Sequence, residues 1–101
     1  IRDEYPNVRV VFLADFYGTG PPELVKPEPN VIPWIVQWSQ DQFHGVSPLT
    51  GMGRGLEEWG KYGNPLWVWV YYGSYTFWPQ VHAIRKDIPY YKQHGVVGAF
   101  S

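Results

Sequence analysis

Two carboxylates and a set of aromatic side chains are the residues of this chain best placed to do chemistry. Asp15 follows the apolar run Val10-Val11-Phe12-Leu13-Ala14, and Asp41 lies in the polar stretch Trp38-Ser39-Gln40-Asp41-Gln42-Phe43-His44. A pair of carboxyl groups whose surroundings push their pKa values apart can divide the roles of acid and base. Asp15 is the stronger candidate, because desolvation at the end of an apolar strand raises a carboxyl pKa. A carboxylate so placed can equally bond loop amides or Arg9, and Asp41 can equally be a solvated loop residue. His44, which titrates near neutrality, can move a proton or bond a hydroxyl, or can be an ordinary loop histidine.

The aromatic candidates are Tyr17, Trp38, Tyr71, Tyr72, Tyr75 and Trp78, each at or just beyond the exit of a strand-like run. A ring with one polar handle can cover an apolar ligand face while bonding a hydroxyl group. The same tyrosines can also simply bridge core and solvent. Trp34, Trp59, Trp67 and Trp69 read as packing residues, being mid-strand or on a helix face turned inward. His82 and His94 fall on a helix and near its end and read as structural. The three histidines show no ligand-like spacing, so neither a metal site nor a cofactor is expected.

Composition narrows the field without choosing within it. The 101 residues make one segment with a formal net charge of -1, which gives no reason to expect a nucleic acid or an anionic surface. No apolar run reaches membrane length, and no signal pattern is present. With no cysteine, disulfides and thiolate metal sites are excluded. The aromatic share of 19% is high enough to build either a large core for a small domain or a set of stacking platforms.

The elements that must position these residues follow from pattern. Residues 7–16 read as a strand, and the Gly18-Thr19-Gly20-Pro21-Pro22 cluster ends it in a loop. Residues 23–29 read as an extended connector with no room for a helix, since each proline restricts its predecessor. Residues 30–38 form a second strand, with Pro33 expected at its beginning or at a bulge. Gly45 to Gly53 read as irregular, and Gly51-Met52-Gly53-Arg54-Gly55 as a flexible loop that only imitates a phosphate-binding one. Residues 54–62 read as a helix with Leu56 and Trp59 inward and Glu57, Glu58 and Lys61 outward. Glu57 and Glu58 are expected to stabilise its first turn, and Gly63 to cap its end.

Leu66 to Val70 carries no polar residue, the mark of a strand covered on both faces. A second helix over residues 79–94 is expected to use Val81, Ile84, Ile88 and Tyr91 as its apolar face. Pro89 predicts a kink near Asp87, which would cap the second half. A last strand covers residues 95–100. Strands alternating with helices predict an α/β fold of parallel βα units, about half of a TIM-type barrel of typically ~250 residues. The alternative is a small open α/β sheet. The chain begins at Ile1 and ends just after a strand, so it is expected to be a fragment of a larger barrel domain.

Several stretches together resemble a known family. They are Val11-Phe12-Leu13-Ala14-Asp15-Phe16-Tyr17, Lys26-Pro27-Glu28-Pro29-Asn30-Val31, Leu56-Glu57-Glu58-Trp59, Val68-Trp69-Val70-Tyr71-Tyr72 and residues 87–98. The series is similar to the later part of the bacterial domain of unknown function 4838 family, which contains glycoside-hydrolase-like (β/α)8-barrel proteins. The resemblance covers nearly the whole chain and rests on aromatic, glycine and proline patterns rather than on a catalytic signature. It implies a parallel barrel, a carbohydrate substrate and a bacterial protein with a periplasmic or extracellular location.

Under that resemblance the strand exits would form one rim, where barrel active sites lie. Glycoside hydrolysis needs two carboxyls flanking the bond, and Asp15 and Asp41 are the carboxylates at such exits. Tyr17, Trp38, His44, Tyr71, Tyr72, Tyr75 and Trp78 would orient substrate. Expected partners are a carbohydrate and either the remainder of the barrel or another copy of the chain, with no nucleic acid and no membrane insertion. Two further readings stand beside the hydrolase: a non-catalytic carbohydrate-binding segment, and a purely structural barrel segment.

Overall fold

The computed structural model describes residues 3–14, 20–36, 45–47, 49–72 and 81–101. Among the described residues, four strands and two helices follow one another as β1 (Val10–Ala14), β2 (Val31–Val36), α1 (Gly51–Gly60), β3 (Leu66–Trp69), α2 (Val81–Gln93) and β4 (Val96–Phe100). The strands form one sheet in the order β1-β2-β3-β4, with every pairing parallel. Sequential order with both helices packed into one cluster is the winding of consecutive βα repeats. A doubly wound sheet would reverse its strand order and carry helices on both faces. The α/β fold of parallel βα units expected from the sequence is the fold observed.

The core lies on the helix side. Ile35 from β2, Leu66 and Val68 from β3 and Val70 just beyond it meet Leu56 and Trp59 of α1 and Tyr91 of α2. The alternation of a strand sends these residues to one face and their neighbours to the other. No helix occurs in residues 20–30, as the prolines predict; Phe12 instead packs its ring 5.7 Å from that of Trp59. Asn64 ties this connector to the start of β3, donating from Nδ2 to the carbonyls of Glu28 at 2.8 Å and Val31 at 2.9 Å.

Several local expectations are corrected. The Gly51–Gly55 stretch is not a loop but the opening of α1. Thr50 caps it, its hydroxyl accepting from the Gly53 amide at 3.0 Å and donating to the Ser47 carbonyl at 2.8 Å. Gly53 is required by closeness, since a Cβ there would run into the Ser47 carbonyl. Glycine's poor helix propensity hides a turn held by its cap and by packing. With the helix starting three residues early, its first turn holds no acidic residue, and Glu57 and Glu58 lie beyond it on the exposed side. Gly63 does take the left-handed conformation expected near the helix end, with φ at 73°.

Pro33 sits third in β2, neither at its start nor at a bulge. The β2–β3 ladder begins only at Trp34↔Trp67, and the amide of Val10 bonds the Asn30 carbonyl on the other side. The donor that proline lacks therefore falls where the ladder to β3 has not yet started. Pro89 likewise lies inside an unbroken α2. Its i−4 partner Arg85 is exposed, so water can take up the carbonyl left without a donor. The buried face of α2 is Ala83, Asp87 and Tyr91, while Val81 and Ile88 are exposed. Apolar periodicity points to a different face because the centre of the buried one is a carboxylate.

Candidate functional site

Each strand of a parallel βα unit delivers its C-terminal end to the same edge of the sheet, and the face turned away from α1 and α2 leads up to that edge. On that face β3 presents Trp67 and Trp69, β2 presents Trp34, and β4 presents Phe100. Trp34 lies 5.2 Å from Trp69 at 31°, with Trp67 and Phe100 set edge-on to it at 5.7 Å and 5.8 Å. Trp69 meets Phe100 edge-on at 5.1 Å and stacks on Tyr71 at 6.0 Å and 26°. These are the offset and edge-to-face arrangements that aromatic quadrupoles favour. Trp34, Trp67, Trp69 and Tyr71 are half-buried, and Phe100 is 51% exposed.

The local sequence explains the row. From Leu66 to Tyr71 bulky rings at 67, 69 and 71 alternate with aliphatic residues at 66, 68 and 70. Period two puts the rings on one face and the aliphatics under the helices. β4 adapts to the rings through a register shift between Leu66↔Val96 and Trp67↔Gly98. A Cβ on Gly98 would stand 2.8 Å from the Trp67 indole, so the residue opposite that ring has no side chain. The reading of Leu66–Val70 as covered on both faces is thus half right. Its aliphatic face is sealed, and its aromatic face is shielded mainly by other rings.

Adjacent tyrosines at the exit of β3 part ways. Tyr71 stays with the aromatic row, whereas Tyr72 turns to the helix side and donates its hydroxyl to Asp87 Oδ2 at 2.7 Å. The other oxygen of Asp87 accepts the Val46 amide at 2.6 Å. Asp87 is therefore not a helix cap but an acceptor between α2, the segment before α1 and the exit of β3. Tyr91, one turn along α2, reaches Met52 Sδ with its hydroxyl at 3.8 Å. Burial, then the neighbouring Tyr72, then Asp87, push the Tyr91 phenol well above its ordinary range.

Of the residues singled out in sequence, Tyr71 and Tyr72 are described and stand at this edge. Asp15, Tyr17, Trp38, Asp41, His44, Tyr75 and Trp78 lie outside the described residues. Trp59 is a packing residue as expected, 1% exposed beneath the helix. Trp34, Trp67 and Trp69 pack as well, yet they do so as a continuous half-open surface. The size alternation along β3 is the sequence signal for that surface. Nothing in the sequence marks Asp87 as a partner of Val46, 41 positions away.

The opposite end of the sheet holds a cavity of about 630 Å³ lined by Glu57, Lys61, Asn64, Gln93 and His94 among others. His94 Nδ1 lies 2.8 Å from the Tyr90 carbonyl, which can only accept, so Nδ1 carries a proton. Its Nε2 stands 4.0 Å from Glu57. The Tyr90 ring stacks on His94 at 4.0 Å, and burial followed by Glu57 raises its phenol pKa. This arrangement links α1 to α2 and agrees with a structural His94. Among the described residues no group of His, Cys, Asp and Glu could hold a metal ion, and no helix is long and apolar enough to cross a membrane.

No curated protein and no solved structure matches the chain. A family model does match, over residues 1–101. The chain belongs to the family described as domain of unknown function (DUF4838).

Proposed function

We propose that the chain is part of a glycoside-hydrolase-like protein that acts on an oligo- or polysaccharide by carboxylate acid/base chemistry. One observation carries this reading: Trp34, Trp67, Trp69, Tyr71 and Phe100 form a half-open aromatic surface on the face turned away from α1 and α2, and Trp69, Tyr71 and Phe100 stand at the edge where the strands end. Sugar rings present apolar C–H faces that aromatic rings cover, and tyrosine adds a hydroxyl for orientation. Asp15 follows directly on Ala14 at the end of β1, and Asp41 belongs to the β2–α1 connection; they are assigned the acid and base roles.

The same surface supports a second reading, a non-catalytic carbohydrate-binding or structural barrel segment. Neither β1 to β4 nor Val70 to Tyr72 contains an Asp or Glu, so the aromatic face itself offers no carboxylate acid or base. Leu13 on β1 and Val97 on β4 are 51% and 68% exposed. Apolar edges of this kind fit further strands of the same barrel or a second copy of the chain.

Calorimetric titration of the full-length protein with an oligosaccharide panel tests recognition, and heat from none of them counts against both carbohydrate readings. Hydrolysis by the Asp15→Asn variant separates those readings. A loss of about a hundredfold or more is expected of a proton-transfer group, and unchanged turnover removes Asp15 from the reaction.

A further inference from the structure

Asp87 is the most deeply buried ionisable group among the described residues, at 0% exposed. Its two oxygens are divided between two donors distant in sequence, the Val46 amide at 2.6 Å and the Tyr72 hydroxyl at 2.7 Å. Gly45 adopts φ of 78°, and a Cβ there would stand 2.7 Å from Asp87 Oδ1. The backbone before α1 is thus pressed directly onto the carboxylate. The Val46 amide needs an acceptor and the Tyr72 hydroxyl uses one, and the carboxylate offers one at each oxygen.

We propose that Asp87 is a positioning residue for the aromatic surface. It holds Tyr72 toward the helices, and this fixes the backbone from which the neighbouring Tyr71 ring lies on Trp69. Through Val46 it fastens the segment entering α1 to the same point. Tyr91 backs the arrangement from the next turn of α2 and is itself held by Met52. The carboxylate therefore acts on the surface through two other residues and touches no ligand. The ligand-binding arm of its test rests on the carbohydrate reading; the amide-exchange arm does not.

The test compares Asp87→Ala, Tyr72→Phe and the double variant in the full-length protein. An alanine removes both acceptor oxygens, so both bonds are lost; an asparagine could keep them, with Oδ1 accepting from Val46 and Nδ2 donating to the Tyr72 hydroxyl. The buried amides of Ile35 and Val68 serve as core standards for hydrogen exchange. Exchange at Val46 is expected to speed by about tenfold in Asp87→Ala, beyond any change at those two standards. Affinity for the best-binding oligosaccharide of the panel is expected to fall by about tenfold in both single variants, with no further loss in the double variant. If Asp87→Ala does not fold, Tyr72→Phe alone must still weaken binding without moving the exchange of Ile35 and Val68. Val46 exchange that rises only in step with the core standards overturns the proposal, as do additive losses of affinity. If the unaltered protein binds no sugar, the carbohydrate reading falls by itself and the exchange at Val46 still decides the role of Asp87.

Discussion

On one face of the sheet Ile35, Leu66 and Val68 are sealed beneath α1 and α2; on the other, Trp34, Trp67 and Trp69 lean on one another and remain half-open. Both faces are apolar, and both come from the same strands. They differ in side-chain size. Branched aliphatics make a smooth surface that a helix can approach closely, and Leu56 and Trp59 fill it. Large rings stand away from the sheet and cover each other edge to face, so they need no helix to shield them. Apolar character alone therefore does not distinguish core from surface here, whereas the alternation of size does.

The sharpest way to break this comparison is to truncate one side chain on each face. Leu56→Ala on the helix side should cost about 3 kcal/mol, since a sealed site leaves a cavity, and denaturant unfolding measures it. Trp69→Ala should cost less, about 1–2 kcal/mol, because a half-open ring forfeits less burial; its main effect should be on oligosaccharide affinity. A larger stability loss for Trp69→Ala than for Leu56→Ala would reverse the assignment of the two faces.

The next prediction uses pH. Folding raises the Tyr91 pKa above the ordinary value of 10.0, so the folded chain keeps a proton that the unfolded chain releases there. Above that pH the unfolded state binds fewer protons, and stability falls as pH rises. Melting temperature should be flat below about pH 9 on this account and decline above about pH 10. Tyr90 adds in the same direction, its phenol raised by burial and Glu57. Tyr91→Phe should flatten the alkaline decline, and an unchanged slope would place that phenol in water. The smallest effect is expected from Trp34→Phe. The Trp34 indole N–H is buried with no hydrogen-bond partner among the described residues, so its removal deletes no bond. The net change should stay within about 1 kcal/mol, measured by the same denaturant series.

Much of the fold is legible in the sequence because it rests on local pattern. The four strands, the inward Leu56 and Trp59 and the helix-free connector follow from periodicity and proline placement. The parts that are not legible depend on long-range partners or on caps. Three glycines in five residues conceal the first turn of α1, whose stability comes from Thr50 and Ser47. Asp87 resembles a helix cap because only the fold brings Val46 and Tyr72 to it. At the site, the position of Tyr71 and Tyr72 at a strand exit is readable, but their opposite directions are not. That divergence depends on Asp87 waiting on one side and Trp69 on the other.

Acrylamide quenching of tryptophan emission, with and without oligosaccharide, tests the assignment of the open face most directly. Trp34, Trp67 and Trp69 are half-buried and so partly open to quencher, while Trp59 is sealed. A bound oligosaccharide should protect the accessible emission from quencher, and that protection should vanish in Trp69→Ala yet persist in Trp59→Phe. Quenching unaffected by every sugar tried, or protection that survives Trp69→Ala, would contradict a carbohydrate-binding role for this face.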